Sequence, residues 1–285
     1  MSNLKVAIQK SGRLSEDSLK LFKECGIKFN NGAKKLKANS YNFPIEFLFL
    51  RDDDIPGYVE DGIADIGIVG QNVHEEYLRD AEVVKYLGFS KCRLCLAVPR
   101  EVDYPGLQFF QGKSIATSYP NILKKYLDQE GIQADVHMIS GSVEIAPGIG
   151  LGEGICDIVS SGSTLLSNGL KEVETVMKSE AVMIANRNMD PAQKEILDQL
   201  LFRINSVLVG KNNKYVLLNA PNEKLDTIIS LLPGMRSPTV LPLAQDGWSS
   251  IHSVINEDDF WGNIEKLRGA GAEGILVVPI EKMIQ

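Results

Sequence analysis

Residues 154–165 read GICDIVSSGSTL. An apolar run of Ile155, Cys156, Ile158 and Val159 gives way to Ser160, Ser161, Gly162, Ser163 and Thr164, and Leu165 and Leu166 then begin a helical pattern. A strand, a Ser/Gly/Thr loop and a helix start are the sequence form of a phosphate cradle. Backbone N–H groups line the turn, hydroxyls add donors, and the helix N-terminus contributes partial positive charge. A tight strand-to-helix turn capped by Ser or Thr has the same form and needs no ligand. Asp157, just ahead of the loop, repels a bare phosphate but suits the hydroxyls of an attached sugar.

Other residues offer chemistry at the ends of expected strands. Lys10 and Arg13, in QKSGRLS, bring positive charge through a glycine-softened loop, although a solvated basic turn reads the same way. Arg51 precedes Asp52, Asp53 and Asp54. Magnesium takes one or two carboxylates with water and phosphate. Acidic residues capping a first helical turn explain the run equally well and are the favoured reading, with Arg51 kept as an anion or ring contact. Glu144 follows a strand and lies across from the Asp157 loop. Tyr119 and Pro120 place an aromatic face at a helix start, where packing is the alternative. Cys92 and Cys95 form a C-x-x-C, but on a strand a three-residue offset turns the thiols to opposite faces. His74, His137 and His252 are scattered, and no nucleophile for covalent catalysis is evident.

The elements that must position these residues alternate between strand and helix. LKVAIQ, IEFLFLR and ADIGIVG read as strands, separated by helices over LSEDSLKLFKECGI and DDDIPGYVEDGI. A second block repeats the logic with strands GKSIATS, ADVHMIS and CDIVSSG and helices YPNILKKYLDQEGI and SVEIAPGIGLGEGI. Residues 61–70 and 153–162 share five identities in ten, which suggests two similar α/β lobes meeting at a cleft beyond the strands' carboxyl ends. The first lobe would offer an apolar wall and the second a phosphate loop. Asp190 caps a helix with Pro191 at its first position, expected to reach about Leu208. Lys211 to Lys214 read as a linker. The remainder has the β-α-β-β-α-β order of a ferredoxin-like domain. The expected organisation is lobe I at 1–95 with 180–210, lobe II at 96–179 and a small domain at 212–285.

Bulk properties bound the options. The chain has 285 residues, 44% of them hydrophobic, and a net charge of −7. The acidic balance argues against nucleic acid or an anionic membrane as the main partner. No apolar run is long enough to span a bilayer and no leader pattern is visible, so the expected location is the cytoplasm.

Taken together, QKSGRLSEDS, RDDDIPG, DIGIVGQN, IATSYPNILKKYLDQEGI, GSVEIAPGIGLGEGICDIVSSGSTL and LLPGMRSPTVLPLA resemble the long-form ATP phosphoribosyltransferases, the first enzymes of histidine biosynthesis. The resemblance runs from Leu4 to the terminal VVPIEKM. It implies a two-lobed catalytic part of type II periplasmic-binding-protein form and a C-terminal ACT-like regulatory domain. The reaction it implies joins ATP to phosphoribosyl pyrophosphate with magnesium, inhibited by histidine and AMP, in a dimer-to-hexamer assembly. Asp157, Glu144 and Arg13 would be catalytic. Asp157 with Ser160, Ser161, Gly162, Ser163 and Thr164 would bind phosphoribosyl pyrophosphate. Lys10, Arg13, Leu14, Arg51, Gly70 and Tyr119 would bind ATP or AMP. Met235, Ser237, Thr239 and Ala272 are the expected histidine contacts. Gln71 stands where relatives commonly carry an acid, which leaves any contact from that side chain open. The competing readings are a non-catalytic two-lobed solute-binding protein and an amino-acid sensor.

Overall fold

The structure, a computed structural model, describes residues 3–30, 36–232 and 237–284. The chain divides into two compact units, Met1–Asp198 and Gln199–Gln285.

The first unit holds two sheets. One contains β1 (Leu4–Gln9), β2 (Lys37–Asn39), β3 (Ile45–Leu50), β4 (Ile66–Gly70), β5 (Ala81–Tyr86) and the later β11 (Ala181–Asn186), in the order β2-β3-β1-β4-β11-β5. The other contains β6 (Cys92–Pro99), β7 (Ser114–Thr117), β8 (Asp135–Met138), β9 (Gly154–Val159) and β10 (Leu170–Ser179), in the order β10-β6-β9-β7-β8. Helices α1 (Arg13–Glu24), α2 (Ile55–Glu60) and α3 (Gln71–Tyr77) accompany the first sheet, and α4 (Pro120–Glu130) and α5 (Ser163–Ser167) the second.

Each sheet contains three adjacent parallel strands, and one antiparallel strand is inserted beside them by a chain crossing from the other lobe. In the first, β1 pairs in parallel with β3 and β4, and β11 runs antiparallel to β4. In the second, β7 pairs in parallel with β8 and β9, and β6 runs antiparallel to β9. The orders β3-β1-β4-β11-β5 and β8-β7-β9-β6-β10 are therefore equivalent, which is the two-lobed type II arrangement. β4 and β9 occupy the same place in their lobes, so the similar stretches 61–70 and 153–162 are equivalent in the fold. Strands sandwiched between helices read as continuous apolar runs rather than alternating ones. Leu4, Val6, Ala7 and Ile8 of β1 are accordingly all buried.

Several local expectations are corrected. β6 pairs along its length with β9 and β10, so the chain has entered the second sheet by Cys92, ahead of the expected border at residue 95. The expected helix over 142–155 is two 3-10 turns, Val143–Ile145 and Pro147–Ile149. Pro147 lacks the N–H that a continuing helix needs, and Gly148, Gly150 and Gly152 disfavour the helix further. Strands β5, β10 and β11 form by pairing with segments far along the chain, which local patterning does not announce, and the short β2 and α3 hold too few residues for a periodic pattern.

A 22-residue helix, α6 (Pro191–Asn212), contains the border between the units. The expected linker at Lys211 to Lys214 does not exist. α6 passes directly into β12 (Asn213–Pro221), and the Asn213 side chain donates to the Val209 carbonyl at 2.8 Å. The polarity of this run reflects exposure and capping, not a break. The second unit continues with α7 (Leu225–Ser230), β13 (Thr239–Pro242), β14 (Trp248–Asn256), α8 (Glu257–Gly269) and β15 (Glu273–Pro279). Its antiparallel order, β13-β14-β12-β15, is ferredoxin-like. Alternate residues of β14 (Ser249, Ile251, Ser253, Ile255) are buried, as expected for a sheet covered by helices on one face. Among the described residues, no helix is long and apolar enough to cross a membrane.

Candidate active site

Parallel strands deliver their following loops to one edge, so each sheet presents a row of loops there. In the first lobe, Gln9 lies level with Leu50, and the Lys10 N–H donates to the Leu50 carbonyl at 2.7 Å. That bond sets Lys10 beside the start of the Arg51 turn. Gly12 caps α1 with φ 95°, a left-handed value that lets the basic turn fold tightly. Lys10, Arg13 and Arg51 are exposed, and Arg13 makes only a long contact with Asp17 at 3.8 Å. Leu14 is half-buried, and its carbonyl accepts from Ser18 Oγ at 2.6 Å. Gly70 ends β4, where a Cβ would meet Asn72 Oδ1 at 2.5 Å.

Asp52, Asp53 and Asp54 form a 3-10 turn ahead of α2. None of their side chains makes a capping hydrogen bond, so the favoured capping reading holds only as acidic charge in a first turn. Burial, then the neighbouring Asp52, pushes the Asp53 carboxyl up. Among the described residues, no three His, Cys, Asp or Glu side chains gather to hold a metal ion.

In the second lobe, β9 brings Asp157 to the head of the Ser160–Thr164 loop. A cavity of about 340 Å³ is lined by Glu144, Asp157, Ser160, Ser161, Gly162 and Thr164, among others. The sequence expectation thus assembles both carboxylates and most of the loop in one place. Ser163 joins through its hydroxyl, 3.0 Å from Ser161 Oγ. Asp157 Oδ1 accepts the Ile158 N–H at 2.7 Å. Burial raises the Asp157 pKa, that hydrogen bond opposes the rise, and the Glu144 charge adds to it. Glu144 reaches the cavity from the turn after Ser142, a non-glycine residue held at φ 50°. Helix α5 has only five residues, too short for much dipole, so the donors at this cavity are the loop's N–H groups and hydroxyls.

Gly162 adopts φ 80°, and a Cβ there would meet nothing closer than Val159 Cγ1 at 3.9 Å. Space is available, so Gly162→Ala should cost backbone strain alone, about 1–2 kcal/mol. A lowered denaturant midpoint that, multiplied by an unchanged slope, gives that loss checks it, and an unchanged midpoint would count against a required left-handed residue.

Tyr119 opens α4, with its N–H on Thr117 Oγ1 at 2.9 Å. Burial, then the Asp157 charge, pushes its phenol up, while a hydrogen bond with Asn72 acts the other way. Tyr119 therefore feels charge from the second lobe, at Asp157, and interacts with Asn72 of the first.

Sequence reasoning missed Arg93. It sits on β6 level with Val159, its Nη1 donates to the Ser160 carbonyl at 3.3 Å, and it forms a two-point pair with Glu172 at 2.8 and 2.6 Å. Position on a strand gave no hint of this, because the contact depends on the antiparallel pairing of Arg93 with the distant Val159. Cys92 and Cys95 are free, one half-buried and one buried, as opposite faces require. Cys95 donates to Glu172 at 3.1 Å, and burial pushes its thiol up to about 12.

Of the expected effector contacts, Met235 lies outside the described residues. Ser237 is exposed, and Thr239 opens β13. Ala272 is buried in the core of the second unit, just ahead of β15. β13 and β15 are opposite edges of a four-stranded sheet, about 14 Å apart at the usual strand spacing.

Known proteins share both the sequence and the fold. A family model described as HisG, ATP phosphoribosyltransferase, matches residues 51–206, and one for the HisG C-terminal domain matches residues 210–282. An ATP phosphoribosyltransferase from Phocaeicola vulgatus is 61% identical over 281 residues, covering 99% of both chains. One from Cytophaga hutchinsonii is 59% identical with the same coverage. A solved chain from the Thermotoga maritima ATP phosphoribosyl transferase (HisG:HisZ) complex superposes with a TM-score of 0.61 at 28% identity, over 70% of this chain and 96% of that one.

Proposed function

The chain belongs to the ATP phosphoribosyltransferase family, and from that membership we propose how its own residues carry out the reaction. The enzyme transfers the 5-phosphoribosyl group of phosphoribosyl pyrophosphate to the adenine ring of ATP and releases pyrophosphate, the first step of histidine biosynthesis. The observation that carries the residue assignment is the cavity in which Asp157 and Glu144 face the Ser160–Thr164 loop.

A ring nitrogen of adenine attacks the anomeric carbon as pyrophosphate departs. That carbon passes through oxocarbenium character, so the protein's task is positioning and charge stabilisation. Ser160, Ser161, Gly162, Ser163 and Thr164 hold the 5′-phosphate through backbone N–H groups and hydroxyls. Asp157 and Glu144 accept from the ribose hydroxyls, and their negative charge favours the cationic carbon. Lys10, Arg13 and Arg51 bind the phosphates of ATP or the departing pyrophosphate, with Arg13 stabilising the leaving group. Leu14, Gly70 and Tyr119 flank the nucleotide. The carboxylates of Asp52–Asp54, next to Arg51, suit a magnesium ion that arrives on phosphates and needs only one or two protein ligands. Bound there, magnesium would offset the charge of the departing pyrophosphate.

Residues 212–285 form an ACT-like regulatory domain in this reading, with histidine as feedback inhibitor and AMP competing at the active site. One histidine does not span Thr239 and Ala272 within a single sheet, so an effector touching both would lie between subunits of a dimer or hexamer. A cytoplasmic location fits the biosynthetic role.

The test is pyrophosphate release from ATP, phosphoribosyl pyrophosphate and magnesium. Turnover should require both substrates and fall when histidine is added. Release with either substrate alone, or none from folded protein, would overturn the assignment. Turnover indifferent to histidine would remove the regulatory role alone.

A further inference from the structure

The N-terminus of α4 is satisfied from the opposite lobe. Pro120 has no N–H, so Asn121 and Ile122 supply the helix's first free donors. Both point at Glu76 of α3. The Asn121 N–H lies 3.0 and 3.1 Å from the two carboxylate oxygens, and the Ile122 N–H lies 3.0 Å from one of them. Asn121 Nδ2 also donates to the Glu76 carbonyl at 2.9 Å. Glu76 is only 6% exposed. A buried carboxylate without partners would be costly, so this one is committed to α4.

Asn72 stands one helical turn earlier on α3, on the same face. It exchanges hydrogen bonds with Ser179 at the end of β10, at 3.1 and 2.8 Å, and its side chain lies near enough to the Tyr119 phenol to influence it. One face of a first-lobe helix thus grips a strand that leads back between the lobes and the first turn of α4, next to Tyr119. Lys125 and Glu75 add an exposed ion pair across the same two helices at 3.8 Å.

We propose that Glu76 is a positioning residue for the transferase. Its carboxylate latches α4 of the second lobe to α3 of the first, and so fixes Tyr119, the residue that precedes α4, and holds the cleft closed around both substrates. This rests on the active-site reading above, but the latch itself has a readout that needs no turnover. Without it, the closed arrangement becomes one of several populations, and apparent affinity falls by the fraction that remains closed. Chemistry from the closed complex is unchanged, because Glu76 touches no reacting atom.

The experiment compares the full-length chain with Glu76→Gln and Glu76→Asp. Glutamine keeps the shape, but its amide group faces two N–H donors. Aspartate keeps the charge on a shorter stem. Hydrogen exchange across residues 119–124 should speed up at least tenfold in Glu76→Gln, with the strands of both sheets still protected. KM for both substrates should rise about tenfold while kcat stays within twofold, and Glu76→Asp should recover part of the KM. Unchanged exchange in 119–124 would overturn the latch whatever the activity. Faster exchange with unchanged KM would overturn the positioning role and leave the active-site assignment standing. A loss of kcat at unchanged KM would also overturn it. If Glu76→Gln fails to fold, Glu76→Asp is judged by the same two readouts against the parent.

Discussion

Replacing Asp157 with asparagine is expected to lower kcat by about 10²–10³, the usual loss on removing one preorganised electrostatic contact, while the thermal midpoint at neutral pH holds or rises. The two effects have one cause. Burial and the Glu144 charge raise the Asp157 pKa in the folded protein, and the Ile158 N–H only partly offsets them. The folded chain therefore holds a proton there more tightly than the unfolded chain, whose value is near 3.8. Stability falls as pH rises through the window from that value up to the raised one, and the deficit persists at higher pH. Above that window the ionised carboxylate costs the fold stability. Asparagine keeps the Oδ1 acceptor for the Ile158 N–H and removes the charge, so it removes the cost. The same charge is what an anomeric carbon gaining positive character needs nearby. Pyrophosphate release and thermal melts taken together from pH 4 to 8 check both halves. The variant's stability advantage should shrink as pH falls into the carboxylate range. Activity and stability lost together would instead make Asp157 a structural residue.

That trade between fold and site also explains what could be read from the sequence. Legibility followed the range of the interaction. The central strands of both lobes, the helices α1, α4, α6 and α8 and the ferredoxin-like order of the second unit were all visible, because each rests on local periodicity and on breakers such as Gly26, Gly131 and Pro191. The equivalence of β4 and β9 was visible too, through a short internal similarity. The turns around Glu144 were misread as a helix because Ile145 and Ile149 carry helical spacing. Both are exposed, so the spacing reflects no buried face, and Pro147 and the glycines decided the conformation.

The site divides along the same line. Asp157 and its loop are contiguous in sequence and stood out by residue type, and Glu144, only thirteen residues earlier, joined them. Arg93 and Glu76 did not stand out. Each acts through a bond to backbone atoms of a segment far along the chain, and no spacing rule announces such a bond. Nor does residue type, since an arginine on a strand or a glutamate on a helix is normally a solvated surface group. Their roles come from tertiary pairing, β6 on β9 in one case and α3 on α4 in the other.

Arg93→Ala carries the second large effect, a rise of about tenfold or more in KM for phosphoribosyl pyrophosphate with a smaller change in kcat. Arg93 acts on the loop through its backbone, at the Ser160 carbonyl. Its Nη1 holds the Ser160 carbonyl, and its two-point pair with Glu172 fixes the guanidinium plane that makes that bond possible. Hydrogen bonds to charged groups contribute about 1.5–3 kcal/mol. The Arg93 side chain is 35% exposed, so solvent screening places the effect at the low end of that range. Acid titration separates the anchor from general stability. The hydrogen bond from Arg93 holds the Glu172 carboxyl below its usual 4.5. Its contribution is therefore complete above 4.5 and is lost as pH falls through the depressed folded value. The parent should show an acid-labile increment of stability in that window, and Arg93→Ala should lack it. Glu172→Gln provides the companion measurement, since it removes the ion pair but leaves the guanidinium able to reach Ser160. Its KM should lie between those of the parent and Arg93→Ala. If KM stays at the parent value in both variants while the acid-labile increment disappears, Arg93 stabilises the sheet and the loop holds its shape without it.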